Sequence, residues 1–230
     1  MGKLDKKLIE KYAKDSFELV ENESETTTKI GGNPLVPANF SWPISNGEKI
    51  PFFMQVNFGE VNADKKVKYL PSAGILYIFL DDDVINSNYP LEKGEHYEVI
   101  YVNEGIDNLH EEESDTKTYE EKYFNVNKIK MYPNHEEFSD LYKYIENADE
   151  DVQDEYFDNY HFIETDYGFL GGYPQIFQSS YLQDNESQIL QLLSGDDYMW
   201  GDDGFLQFYM SNEALEKLDF TDVKINLETT

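Results

Sequence analysis

Four carboxylates within eight positions mark the most site-like stretch of the chain, Gly195-Asp196-Asp197-Tyr198-Met199-Trp200-Gly201-Asp202-Asp203-Gly204. Clustered oxygen ligands on a glycine-rich turn are what calcium takes. However, the alternating acids and twelfth-position glutamate of an EF-hand are missing. The structural reading therefore leads: a connection between strands with Trp200 packed down as its anchor. Asp202 and Asp203 would serve glycoside hydrolysis only as carboxyls flanking a cleft at a fixed separation. A chain with 47 acids produces such pairs by chance.

The four histidines, His96, His110, His135 and His161, form no HExxH, and no two stand four residues apart. A helical zinc site is therefore not encoded locally. His110 and His135 each precede glutamates, but neighbouring residues on a helix point apart and such runs are usually solvated. There is no GxSxG, P-loop or GxGxxG, and neither Gly31-Gly32 nor Gly171-Gly172 has the context of a phosphate loop. These glycines read as backbone freedom at sharp turns. No catalytic residue, metal or cofactor is expected.

Gln55 and Gln191 are polar positions inside apolar runs. A buried glutamine must be hydrogen-bonded, so each is expected to tie its strand to a nearby loop backbone, with the Gly-Gly-x-Pro segments as candidates. The functional alternative places Trp42, Gln55, Gln191, Trp200 and Asp202 around a ligand pocket.

The elements that must position these residues are β-rich. Of 230 residues, 40% are hydrophobic and 15% aromatic, and a chain of this length buries about 70% of its unfolded surface. Leu4, Leu8, Ile9 and Tyr12 make an apolar stripe, predicting a helix over residues 3–14 that packs on the body. Strands are predicted over 51–58, 74–80, 97–102 and 123–131, and a helix over 136–148. Residues 104–121, with eight acids against Lys117, read as a mobile loop, and 146–158 holds seven acids and no base.

The net charge is −29 and all 18 basic residues are lysines. Without arginine the usual bidentate clamp for phosphate is missing, and the acidic surface would repel nucleic acid. A partner, if there is one, is expected to be basic, while the plainer reading of the acidity is solubility. There is no cysteine. The first 21 residues lack the apolar core of a signal peptide, and no run approaches the roughly 18 apolar residues of a membrane span. A cytoplasmic location without membrane association is the expectation.

Short motifs recur in the same order. GGNP, FFMQVN and AGILYIF answer to GGYP, ILQLLS and DGFLQFY. The first glycine precedes the glutamine by 24 and 20 residues, and the glutamine precedes the next glycine by 19 and 13. This predicts an α+β, β-rich domain over 1–230. Its two similar antiparallel or mixed halves (about 29–103 and 160–228) arise by internal duplication and are joined by the acidic region 104–159; an N-terminal helix and a few surface helices complete it. Gly31, Gly32, Pro34 and Gly74, with Gly171, Gly172, Pro174 and Gly204, are its expected framework.

KIGGNPLVPANFSWP, PFFMQVNF and LPSAGILYIFLDDD, followed by LGGYPQIFQ and LQLLSGDDYMWGDDGFLQFYM, resemble the two signatures of the YwqG-like family. The resemblance covers residues 29 to about 225. It implies a bacterial domain of unknown function with a β-rich α+β fold and no established activity, some of whose members look like immunity-type proteins encoded near toxins. Together with the acidity, this makes a non-enzymatic binding protein the leading expectation, in the form of an immunity-type inhibitor of a basic toxin. The alternative is a small-ligand-binding or hydrolytic enzyme with a carboxylate-lined cleft between the halves.

Overall fold

Ten strands pair into one sheet in the computed structural model, which describes residues 3–177 and 182–229. In chain order the strands are β1 (Lys14–Asn22), β2 (Lys29–Ile30), β3 (Phe52–Asn57), β4 (Ile75–Leu80), β5 (Tyr97–Val102), β6 (Lys122–Met131), β7 (Gly168–Gly171), β8 (Glu186–Leu193), β9 (Phe205–Ser211) and β10 (Lys224–Glu228). Across the sheet they run β10-β9-β8-β7-β1-β6-β2-β3-β4-β5. Every neighbouring pair is antiparallel.

The sheet curls until its two ends meet. Tyr97 on β5 donates its hydroxyl to the Val223 carbonyl beside β10 at 3.3 Å, and Tyr101 stacks on Phe220 with ring centroids 4.6 Å apart. The concave face encloses the main core, which draws on both ends of the chain: Phe53, Val56 and Leu76 from one, Leu190, Trp200 and Phe208 from the other. Each large side chain buried here stabilises the fold by about 1.5–3 kcal/mol relative to exposure.

A β-bulge between Phe52 and Met54 admits an extra residue, Phe53, into the inner face. Its ring meets Tyr119, Tyr198 and Trp200 edge-on, with centroids 4.9, 5.0 and 5.5 Å away. The predicted strands at 51–58, 74–80, 97–102 and 123–131 are present with ends shifted by a residue or so.

Two expectations need correction, and one strand was not expected. The N-terminal helix spans only Lys6–Glu10, started by the Asp5 carboxylate accepting from the Lys7 and Leu8 amides. It packs on the body as expected, with Ile9 against Leu141, Ile145 and Tyr156 of the helices Ser139–Glu146 and Glu150–Tyr156. From Lys14 the chain is already strand β1, which the sequence reading passed over. It is polar enough to look like linker, yet it pairs with both β6 and β7 at the centre of the sheet. Residues 104–121 are not a loose loop: Leu109–Glu111 pairs with Leu35–Pro37, and Tyr119 is 4% exposed against Phe53. Among the described residues, no helix is long and apolar enough to cross a membrane.

Candidate functional site

The Gly-Gly-x-Pro segments bend the chain sharply over the convex face of the sheet. Gly31, Gly32, Gly171 and Gly172 all have positive φ, between 63° and 80°. A Cβ on Gly31 would lie 2.3 Å from the Glu120 carbonyl oxygen, and one on Gly172 would lie 2.2 Å from the Met131 sulfur. Only glycine satisfies both the dihedral and the close approach.

Past each proline, the next residue is held at both ends of its peptide group. Gln55 Oε1 accepts from the Leu35 amide at 2.8 Å, while Tyr77 donates its hydroxyl to the Leu35 carbonyl at 2.7 Å. In the second segment Gln191 Oε1 accepts from the Gln175 amide at 3.0 Å, and Gln207 Nε2 donates to the Gln175 carbonyl at 2.9 Å. Gln55 pairs across the sheet with Tyr77, and Gln191 with Gln207, so the two arrangements share a register. Two residues further on, the Phe177 amide donates to the Glu228 carboxylate. At the corresponding point stands Pro37, which has no N–H, and the position equivalent to Glu228 in register is Val102, whose side chain has no acceptor.

The five residues considered for a pocket are placed apart. Gln55 and Gln191 are fully buried ties, and Trp200 is fully buried in the main core with Nε1 donating to the Leu193 carbonyl at 3.0 Å. Trp42 lies on the opposite face of the sheet, edge-on to Phe79, and donates to the Ile50 carbonyl at 2.8 Å. Asp202 is exposed on the turn before Gly204. In the acidic stretch, Asp197 accepts from the Glu120 amide and Asp196 pairs with Lys122 at 3.4 Å, so two of its carboxylates are structural ties. Gly74 and Gly204 both open strands, β4 and β9.

A larger polar concavity lies beside the end of β4. A cleft of about 690 Å³ is lined by Glu48, Lys49, Asp81, Glu95, His96, Asp115 and Lys117 among others. At its wall, Asp81, Asp82 and Asp83 gather their carboxylates within 4.8 Å of one another. The Lys117 ammonium sits among them, bonded to Asp82 and 3.5 Å from both Asp81 and Asp83. The Tyr119 hydroxyl donates to Asp82 Oδ1 at 2.9 Å. Burial opposes the charge on Lys117, but its bond to Asp82 and the charges of the three aspartates outweigh this and hold its pKa above the ordinary value. Burial pushes the Tyr119 phenol up as well.

The sequence reading noted Lys117 as the lone lysine among eight acids, but gave it no role. The signal available was that isolation together with the Asp81-Asp82-Asp83 run at a strand end.

Residues 28–228 match the family described as Domain of unknown function (DUF1963). The chain belongs to this family. No curated protein matches it. The DUF1963 span takes in both Gly-Gly-x-Pro segments, both buried glutamines and the whole of the polar cleft, and begins after β1.

The cleft of this DUF1963 domain is lined by four carboxylates, those of Glu48, Asp81, Glu95 and Asp115, against the two lysines Lys49 and Lys117, with His96 beside them. Lys117 stays protonated and Tyr119 stays a phenol, so neither supplies a base near neutral pH. Lys49 is 3.7 Å from Asp115. Glu48 and Glu95 have no lysine within 4 Å among the described residues, leaving the lining net acidic.

Proposed function

We propose that the chain is a cytoplasmic, non-enzymatic binding protein whose partner is a basic protein, of the kind an immunity-type inhibitor of a basic toxin would meet. One observation carries this reading. Twelve of the 18 lysines lie within 4.0 Å of a carboxylate, so the positive charge is largely neutralised where it stands. Among the described residues Lys3, Lys7, Lys65, Lys68 and Lys143 are exposed outside these pairs, but against 47 acids they leave the solvent-facing surface predominantly negative, and such a surface steers a basic partner and repels nucleic acid. The resemblance to YwqG-like proteins, a bacterial group, points the same way.

The hydrolytic alternative has less behind it, because the tryptophans, glutamines and Asp202 that would have lined its cleft are dispersed or packed. The shared strand register, the bulges at Phe52/Met54 and Gln188/Leu190, and the paired glutamine ties support an origin of the two halves by internal duplication. On that reading, the acidic surface and the polar cleft are the parts free to vary for recognition.

The test is capture from the native host with the full chain as bait, beside an unrelated acidic protein of the same net charge. A basic protein enriched on this chain alone, associating more slowly as ionic strength rises, is the expected result. Equal recovery on both baits rejects the reading.

A further inference from the structure

A row of aromatic rings crosses the surface outside the cleft. Tyr142 stacks on His135 with centroids 5.9 Å apart, His135 meets Phe157 edge-on at 5.4 Å, and Phe157 meets His161 at 5.4 Å. His161 touches Phe162 at 5.1 Å, Phe162 stacks on Phe177 at 6.3 Å, and Phe177 stacks on Phe205 of β9 at 4.4 Å. Tyr142, Phe157, Phe162 and Phe177 are each 40–42% exposed, which is unusual for large rings on so hydrophilic a protein. The turn Phe157–His161 is π-helical, a rare geometry that is frequent at functional sites.

The charge around the row is predominantly negative, although exposed Lys143 adjoins Tyr142 and Lys6 pairs with Glu155 at 3.4 Å. Between Lys143 and Lys217 the chain has no basic residue other than His161 and holds seventeen acids. Among the described residues, no lysine lies within 4 Å of Asp151, Asp154, Asp158 or Glu164, which flank Phe157 and Phe162 in the chain. Aromatic faces carry negative potential and attract lysine and arginine side chains, and surrounding carboxylates deepen that attraction. The rings are also held in place, since Phe177 rests on Phe205 and Phe157 rests on buried His135. Little order is therefore lost when a partner docks.

We propose that the surface formed by Tyr142, Phe157, Phe162 and Phe177 is the docking face for the lysine and arginine side chains of a basic protein. This rests on the basic-partner reading above and names its surface. The carboxylates bring the partner in, and the rings take its cations face-on.

The experiment measures binding of an octalysine peptide to the full chain and to three variants. Phe157→Ser/Phe162→Ser removes the rings, Phe157→Leu/Phe162→Leu keeps apolar bulk without the π face, and Glu213→Lys/Glu216→Lys changes net charge on another helix. Two exposed cation–π contacts predict a weakening of about fivefold to thirtyfold in both ring variants. The helix variant should lose far less. If both ring variants bind as the parent does, the aromatic face is rejected while the basic-partner reading survives. If the parent itself does not bind octalysine, both fall. Self-association of the parent that disappears in the ring variants would mark the row as a contact between copies and overturn the proposal. If the serine variant is unfolded, as read by its thermal transition, the leucine variant alone decides.

Discussion

Gln191 holds Gln175 by both ends of its side-chain amide, accepting from the Gln175 N–H at 3.0 Å and donating to the Gln175 carbonyl at 3.2 Å. Gln55 does related work at Leu35, and its Nε2 goes instead to the Thr27 carbonyl at 2.7 Å. These two glutamines fasten the Gly-Gly-x-Pro segments to the sheet.

Replacing either glutamine by leucine keeps the bulk and strands a buried backbone N–H. An unmet buried donor costs about 1–3 kcal/mol. Chemical denaturation of Gln55→Leu and Gln191→Leu should show losses in that range. A loss below about 0.5 kcal/mol in both would mean that water reaches the freed amides.

Phe53 links the two halves through Trp200 and Tyr198. Truncation of a large core aromatic costs about 3–5 kcal/mol. Phe53→Ala and Trp200→Ala should each lower stability by that order. Since the rings touch, the double variant should lose less than the sum of the singles. Strict additivity would show that the contact carries no coupling.

Gly31→Ala brings a methyl group against the Glu120 carbonyl in a left-handed conformation that alanine rarely adopts. It should destabilise the protein by more than about 1 kcal/mol, through strain and displacement of the 119–121 segment. By contrast, Gly47→Ala meets nothing within 4 Å and should lose only the cost of its own positive φ. Equal thermal midpoints for these two variants would exclude the close approach as the cause.

Asp140 ties the N-terminal segment to the helix Ser139–Glu146. Hydrogen bonds from Tyr12 and then Lys11 hold its carboxyl down at about 2 against the ordinary 3.8. A depressed carboxylate contributes its stability above the ordinary value, and that contribution fades as pH falls through the depressed one. After correction for the intrinsic pH dependence of amide exchange, protection at Ile9 should therefore fall between pH 3.8 and about 2 in the parent. In Asp140→Asn that pH response should be absent. An unchanged acid limb in the variant would assign the effect to another group.

Much of the sheet was legible because its information is local. Ile75–Leu80 is apolar on both faces and Phe52–Asn57 alternates around Gln55 and Asn57, and such patterns make strands. The same holds for the glycine pairs, whose turns require a residue without a Cβ. It also holds for Gln55 and Gln191, polar groups whose surroundings oblige them to find backbone partners.

Strand β1 was not legible. Lys14–Asn22 has too few apolar residues to announce itself, and it is a strand because β6 and β7 stand on either side of it. Tyr119 likewise sits in an acidic run that reads as solvated, and it is buried through contacts such as that with Phe53, which no local pattern announces.

The sequence by itself determined the apolar strands and the glycine turns, and the predominant sign of the charge. The tertiary structure alone decided that Trp42 and Trp200 lie on opposite faces of the sheet, that Lys117 enters the Asp81-Asp82-Asp83 group, and that Phe162 and Phe177 join one aromatic row. The physical reason is range. Period and turn chemistry are set by neighbours a few residues away, whereas these contacts exist only once the curled sheet has brought distant strands and loops together.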